Sequence, residues 1–197
     1  MIKFFNRWDS EGIKVDDEGI KDYINIHPKV VPTSKGRLAN TRFYKSKATI
    51  VERLINKIMI PGHKAKKHKI SSGHMSGKDH QALQITERAL ELIEQKTKKN
   101  PIAVLVKAVE NASPREEIVA IEYGGARYPK AVECSPQRRI DLALRNITQG
   151  AYTKAFRSKK QIWETLAEEI INASLLKQES AAISKKNELE RQADASR

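Results

Sequence analysis

PIAVLVKAVENASPREEIVAIEYGGARYPKAVECSPQRRIDLALR, residues 101–145, changes its apolar period twice, and those two changes decide the fold. In the first part Leu105, Ala108, Val109 and Ala112 recur at helical spacing. Asn100-Pro101 reads as an N-cap followed by a first-turn proline, and Ser113-Pro114 closes the helix. From Glu117 to Tyr123 and from Ala126 to Cys134 the chain is β-prone, with Gly124-Gly125 between the two runs. Two glycines can both take positive φ, so they specify a two-residue hairpin loop. Counting outward from that loop puts Glu122 opposite Arg127 and Ile121 opposite Tyr128. Pro129 has no N–H to give and must face away from its partner strand. Ser135-Pro136 then repeats the cap-and-proline signal, and Ile140, Ala143, Leu144, Ile147 and Ala151 form a second helical stripe. A lone two-stranded ribbon between helices is marginal unless its root packs on something else.

Working outward, Ile50, Leu54 and Ile58, flanked by Val51, Ile55 and Met59, predict a helix over about 48–59, ended by Pro61-Gly62. A helix from about 79 to 96 carries Ala82, Ile85, Ala89, Leu92 and Ile93, with Asp79 as its expected N-cap. Another covers about 158–176 with Ile162, Leu166, Ile170 and Ala173. Residues 1–47 are broken by Pro28 and Pro32 and read as an extended arm, ordered along a partner. Residues 178–197 are helix-prone but weakly amphipathic, so helical only when docked. The expected fold is mainly α: a bundle of five to six helices with one protruding two-stranded β-hairpin arm and an extended N-terminal arm. The expected organisation is an arm over 1–47, a helical domain over 48–177 with its hairpin at 115–134, and a tail over 178–197.

The 197 residues carry 37 Lys+Arg against 24 Asp+Glu, a formal net charge of +13. The surplus is concentrated. Residues 27–80 hold 13 bases and only two acids, Glu52 and Asp79; residues 135–160 hold seven bases and one acid, Asp141. A surface that merely solubilises mixes both signs. Segments this one-sided repel themselves unless a polyanion neutralises them, and nucleic acid is the expected one. No stretch approaches the roughly 18 apolar residues of a membrane span, so no membrane partner is expected. The first ten residues lack a signal-peptide core, and a cytoplasmic location is expected.

Catalytic and metal chemistry find little support. His63, His68, His74 and His80 lie within 18 residues, but they are spaced five, six and six apart in a flexible loop with no cysteine nearby, and Lys64, Lys66, Lys67 and Lys69 between them repel a cation. They read as part of a basic loop, and no metal or cofactor is expected. Cys134 is the only cysteine and reads as a small inert residue. Glu116-Glu117 and Glu168-Glu169 do not converge, and Gly124-Gly125 lacks the pattern of a phosphate cradle. No catalytic residue is expected. The helix after Pro136 is more specific: Arg138 and Arg145 share a face two turns apart, Arg139 flanks them, and Lys154, Arg157, Lys159 and Lys160 follow. A solvated helix face is the bland alternative. Tyr123, Arg127, Tyr128 and Lys130 put rings and cations at the hairpin tip, either as ordinary cross-strand packing or as a probe for an RNA groove.

The order VERLINKIM, ALELIEQKTKKNP, AVENASPREE, a ribbon with Gly-Gly-Ala-x-Tyr at its turn, and SPQRRIDLALR resembles the family of ribosomal protein seven of the small subunit, over about residues 48–177. The resemblance implies a non-catalytic protein that binds the 3′ major domain of small-subunit rRNA and nucleates assembly of the subunit head. It implies a ribbon, with Gly124, Gly125, Arg127 and Tyr128, directed toward exit-site tRNA and mRNA. It puts Arg138, Arg139 and Arg145 on the helix that faces RNA, and neighbours such as ribosomal protein eleven among the partners. The long 61–80 link and N-terminal extension look like the archaeal or eukaryotic branch, and the lack of low-complexity tails leans archaeal.

The mechanism expected is structural. Lys29, Lys35, Arg37, Arg42, Lys45 and Lys47 from the arm, Lys64, Lys66, Lys67, Lys69 and Lys78 from the loop, and the arginine helix would neutralise rRNA phosphates and release counterions. Lys185, Lys186 and Arg191 alone would serve contacts of the tail. The rivals are a basic DNA-binding regulator, which needs a symmetric dimer, and an RNA-modifying enzyme, which needs a convergent polar pocket.

Overall fold

The computed structural model describes residues 2–60 and 75–197. Seven α-helices and one hairpin run in the order α1 (Glu18–Lys21), α2 (Ile50–Ile58), α3 (Asp79–Thr97), α4 (Pro101–Ala112), β1 (Glu116–Tyr123), β2 (Ala126–Glu133), α5 (Pro136–Ala155), α6 (Ile162–Ser174) and α7 (Ala181–Asp194). This is the expected helical bundle with a two-stranded antiparallel arm.

The bundle forms around α4. Nine of its twelve residues are buried, Ile102, Leu105 and Val109 completely. It packs against α3, α5 and α6. Its start is fixed as the sequence requires: the Asn100 side chain accepts from the Ile102 amide at 3.0 Å, and Pro101 occupies the first turn, where no amide is missed. Thr49 caps α2 through the Glu52 amide at 3.2 Å. At α5 the proline sits in the first turn, but Ser135 makes no side-chain cap bond. At α3 the N-cap is Lys78, and Asp79 is the first helical residue, still an acid where the helix dipole favours one. Helix α6 starts later than the spacing suggests, at Ile162, because Gln161 and Glu164 form a capping box there.

The hairpin has the register counted from Gly124-Gly125, with Glu122 opposite Arg127 and Ile121 opposite Tyr128. The two glycines have φ of 58° and 82°, values only glycine adopts without strain. Pro129 lies opposite Ala120, which alternation from the closing pair makes a non-hydrogen-bonded site. The outer half of both strands is exposed. The root is held by α7, where the Arg115 amide donates to Glu190 at 3.1 Å and Arg197 donates to Glu116 at 2.7 Å.

The N-terminal segment differs from a free arm. It is irregular, with one short α-helix and two 3-10 turns at Arg37–Ala39 and Tyr44–Lys47, but its first half is part of the core. Phe4, Trp8, Ile20 and Ile24 are buried in the same cluster as the helices. Polar ties fix it there: the Trp8 indole donates to Glu94 at 2.9 Å, and the Asn100 amide donates to the Asp9 carbonyl at 2.6 Å. Isolated aromatics without periodicity leave no sequence signature for such docking. The tail is the helix α7, docked through Ala182, Ile183 and Ala193.

Candidate nucleic-acid interface

The cationic site is built where α2, α5 and the second 3-10 turn meet. Asp141, the single acid of residues 135–160, organises it. Lys45 donates to one carboxylate oxygen, and the Arg53 guanidinium donates to the other at 3.2 Å and to the Tyr23 carbonyl at 3.2 Å. Arg53 is only 5% exposed, and burial holds its pKa below the ordinary arginine value against the pull of Asp141. Burial pushes the Asp141 carboxyl up, but Lys45, Arg53 and Lys57 outweigh it and the net shift is downward. Asp141 therefore stays ionised, and one negative charge faces several positive ones.

Lys57 and Arg145 complete the group. Lys57 is half-buried on α2, and its pKa is lowered, first by burial, then by Arg145, Lys45 and Arg53, with Asp141 opposing. Neither Lys57 nor Arg145 has an ion-pair partner among the described residues. With Arg138 and Lys185 they line a groove of about 540 Å³ between α2, α5 and α7, in which Glu117 is the one acid. Arg138 is paired with Glu117 and Lys185 with Glu188, which leaves the half-buried Lys57 and the exposed Arg145 as the positive charge an anion can neutralise.

The expected site residues divide into three groups. Lys35, Arg37, Arg42 and Lys47 are exposed along the arm segment, and Lys78 is exposed before α3. Arg145 and Arg138 are exposed on α5, as their seven-residue spacing suggests, although Arg138 also forms a two-pronged pair with Glu117 at the ribbon root, its second bond 2.6 Å long. Arg157 lies over the Phe156 ring at 5.3 Å, and Lys159 is exposed. A second group is engaged internally. Lys154 donates to the buried Glu169 at 2.7 Å and to the Glu179 carbonyl at 3.0 Å; Lys160 donates to Glu168 at 3.0 Å; Lys29 sits 3.6 Å from Glu52. In the tail, Lys186 donates to the Asn111 carbonyl at 3.0 Å. The third group, Lys64, Lys66, Lys67 and Lys69 with His63, His68 and His74, lies outside the described residues. His80 pairs with Gln84 at 3.2 Å.

Arg139 corrects the sequence reading. It does not share the exposed face of α5 with Arg138 and Arg145 but is 8% exposed, donating to Asp17 at 2.6 Å and to the Pro114 carbonyl at 3.2 Å. Burial raises the Asp17 carboxyl, but Arg139 outweighs it and the net shift is downward. Gly19 belongs to the same lock, since a Cβ there would stand 2.9 Å from the Arg139 guanidinium. Arg139 thus clamps α1 to α5. Conversely, sequence reasoning missed Lys57. Its signal was present, as a lysine on the polar side of a short amphipathic helix inside the most basic segment.

At the hairpin tip Tyr123 is 81% exposed and Tyr128 is exposed beside it, while Arg127 lies 3.5 Å from Glu122. Cys134, at the root, is buried, and its thiol is pushed up to about 11, chiefly by burial and by Glu117. No described helix is long and apolar enough to cross a membrane.

A helical scaffold with a predominantly basic groove and a projecting ribbon defines a class of basic scaffold proteins. The sequence pattern of the family "Ribosomal protein S7p/S5e" matches residues 20–197, and the chain belongs to that family. The match extends beyond the expected span of 48–177 at both ends, taking in the end of α1 and all of α7. Three similar proteins carry the name "Small ribosomal subunit protein uS7". That of Nanoarchaeum equitans is 51% identical over 196 residues, covering 100% of this chain and 99% of that protein. That of Archaeoglobus fulgidus is 47% identical over 193 residues, covering 98% and 94%. That of Methanococcoides burtonii is 45% identical over 197 residues, covering all of both. All three sources are archaeal, one of the two branches that the long loop and N-terminal extension suggest and the one toward which the lack of low-complexity tails leans. The family is one of structural ribosomal constituents, not enzymes.

Proposed function

We propose that the chain is a component of the small ribosomal subunit that binds the 3′ major domain of its rRNA in the cytoplasm and nucleates assembly of the subunit head. The observation that carries this reading is the α2–α5 groove, where Lys57 and Arg145 stand unpaired beside a saturated Asp141. An RNA phosphate entering there meets one half-buried and one exposed cation, Lys57 and Arg145. Arg37, Arg42 and Lys47 extend the positive surface along the arm. The ribbon reaches away from this surface toward exit-site tRNA and mRNA, and the tail side of the molecule is left for neighbouring proteins such as ribosomal protein eleven. A DNA-binding regulator is disfavoured by the family.

The test is binding of the full chain to the 3′ domain of small-subunit rRNA as a function of salt, against duplex DNA of equal length and an unrelated folded RNA. The expected result is a preference for the rRNA of about a hundredfold or more at physiological salt, about 3 kcal/mol. Equal binding of all three polyanions would reduce the groove to a generic electrostatic footprint and overturn the assignment.

A further inference from the structure

We propose that Phe43 and Tyr44 form a stacking platform for unpaired nucleobases of RNA, a base-reading element set within the cationic arm and resting on the RNA-binding reading above. Both rings are on the surface: Phe43 is 62% exposed and Tyr44 40%. The aromatics that serve folding in the same N-terminal segment, Phe4 and Trp8, are buried in the core. Phe43 and Tyr44 are outside that core, so their place has another reason.

Their orientation is built into the backbone. Phe43 has φ of +67°, a left-handed conformation that a bulky residue rarely adopts. The turn is pinned at the Phe43 carbonyl, which accepts from the Ser46 hydroxyl at 2.8 Å, the Ser46 amide at 3.2 Å and the side chain of Gln137 at 3.4 Å. Gln137 is buried in the first turn of α5, so the platform is fastened to the bundle. Loops that merely wander over a surface do not hold an exposed phenylalanine in a strained conformation with three bonds.

The chemistry around the rings selects the ligand. The Arg42 guanidinium lies 4.8 Å from the centre of the Phe43 ring, and the Lys47 ammonium 3.8 Å from that of Tyr44. Residues 23–51 contain no acid. A nucleotide in a single strand offers both things this surface wants, a π face for the ring and a phosphate for the adjacent cation. A duplex hides its base faces and offers phosphates alone. An apolar peptide would cover the rings but strand the cations against a desolvated surface. Single-stranded RNA is therefore the occupant that fits.

The experiment uses the full chain with three probes: a single-stranded RNA 12-mer, the same sequence as a duplex, and a 12-mer of abasic ribose phosphates. The variants are Phe43→Leu with Tyr44→Leu, which keep apolar bulk and lose the π faces, and Phe43→Trp as a rescue. The pinning bonds use the backbone carbonyl of residue 43, so these variants keep the turn; circular dichroism checks the fold. The expected result is a loss of about tenfold on the single strand. On the duplex and the abasic strand the change is expected to be less than about twofold, with an unchanged salt slope and with tryptophan restoring binding. An equal loss on all three probes, or no loss on the single strand, would overturn the platform and leave the rings to a protein partner or to the fold. Failure of the parent reading has a different signature: the wild-type chain would bind the 3′ rRNA domain no better than duplex DNA or an unrelated folded RNA, whatever the platform variants do on the 12-mers.

Discussion

The α2–α5 groove and the β ribbon are both exposed and both carry arginines, yet they spend their charge in opposite ways. In the groove the cations outnumber the acid, and packing holds them together although they repel. Arg53 is buried, Lys57 is half-buried, and Asp141 answers only Lys45 and Arg53. On the ribbon Arg127 faces Glu122 across the strands, and Arg138 of the groove is taken by Glu117 at the ribbon root. The outer ribbon is otherwise largely apolar or aromatic, with Val119, Ile121, Tyr123 and Tyr128 all exposed and Lys130 its remaining cation. A surface with stored positive potential attracts any polyanion from a distance and is weakened by salt. A ribbon without a surplus of positive charge and with rings at its tip contributes through contact and reach. The molecule thus separates attraction from positioning, and the two can be broken separately.

The largest effect is expected at the residue that makes the groove possible. Asp141→Ala leaves Arg53 buried with only the Tyr23 carbonyl and removes the tether of the second 3-10 turn. Breaking a buried pair at one end costs about 3 kcal/mol, and chemical denaturation at pH 7 is expected to show a loss of that order. The pH dependence gives a check on the cause. The folded-state pKa of Asp141 lies below its ordinary value of 3.8, so its contribution is fully present above that value and is lost as the pH falls through the depressed one. The gap in stability between wild type and Asp141→Ala should therefore be constant near neutrality and shrink only below about pH 4. A gap that closes already near pH 6 would mean that some other group holds the cations.

A smaller effect of opposite character is expected from Lys57→Met with Arg145→Gln. These groups have no ion-pair partner among the described residues, so their removal relieves repulsion and costs the fold nothing. Stability should stay level or rise slightly. Affinity for the 3′ rRNA domain should fall about tenfold, and the slope of log K against log salt should flatten by about 1.5, the equivalent of two lost phosphate contacts. Unchanged binding with a flatter stability profile would show that the groove stores charge for folding reasons only.

Much of this contrast was legible in the residues. The ribbon was readable to the individual pair because Gly124-Gly125 leaves one loop length, and one loop length leaves one register. The starts of α4 and α5 were readable because a proline in the first turn fits only there. What hid was whatever depends on partners far along the chain. Arg138 and Arg139 are neighbours in sequence, but a helix turns by about 100° between them. One faces the groove while the other finds Asp17, 122 residues away. The docking of residues 1–26 hid for the same reason, since Phe4 and Trp8 show no period and meet their partners only in the folded core. Lys57 hid differently: its net charge was counted, but its half-burial against α5 is a property of packing.

The smallest effect on the scaffold, and the sharpest test of the separation, comes from shortening the ribbon. Replacing residues 120–129 by two glycines keeps Val119–Lys130, a hydrogen-bonded pair, as the new closing pair and removes only positions whose side chains are exposed. The root stays held by Glu190, Arg197 and Arg138. Because almost no core area is lost, stability should change by no more than about 0.5 kcal/mol. The removed segment carries Arg127 and Glu122, which cancel, so rRNA affinity should move by less than about twofold and the salt slope should not move. Translation by subunits assembled with the shortened chain should nevertheless suffer, read as weakened retention of tRNA at the exit site. A parallel loss of rRNA binding would mean that the ribbon helps to attract as well as to position, and the division between groove and ribbon would fall.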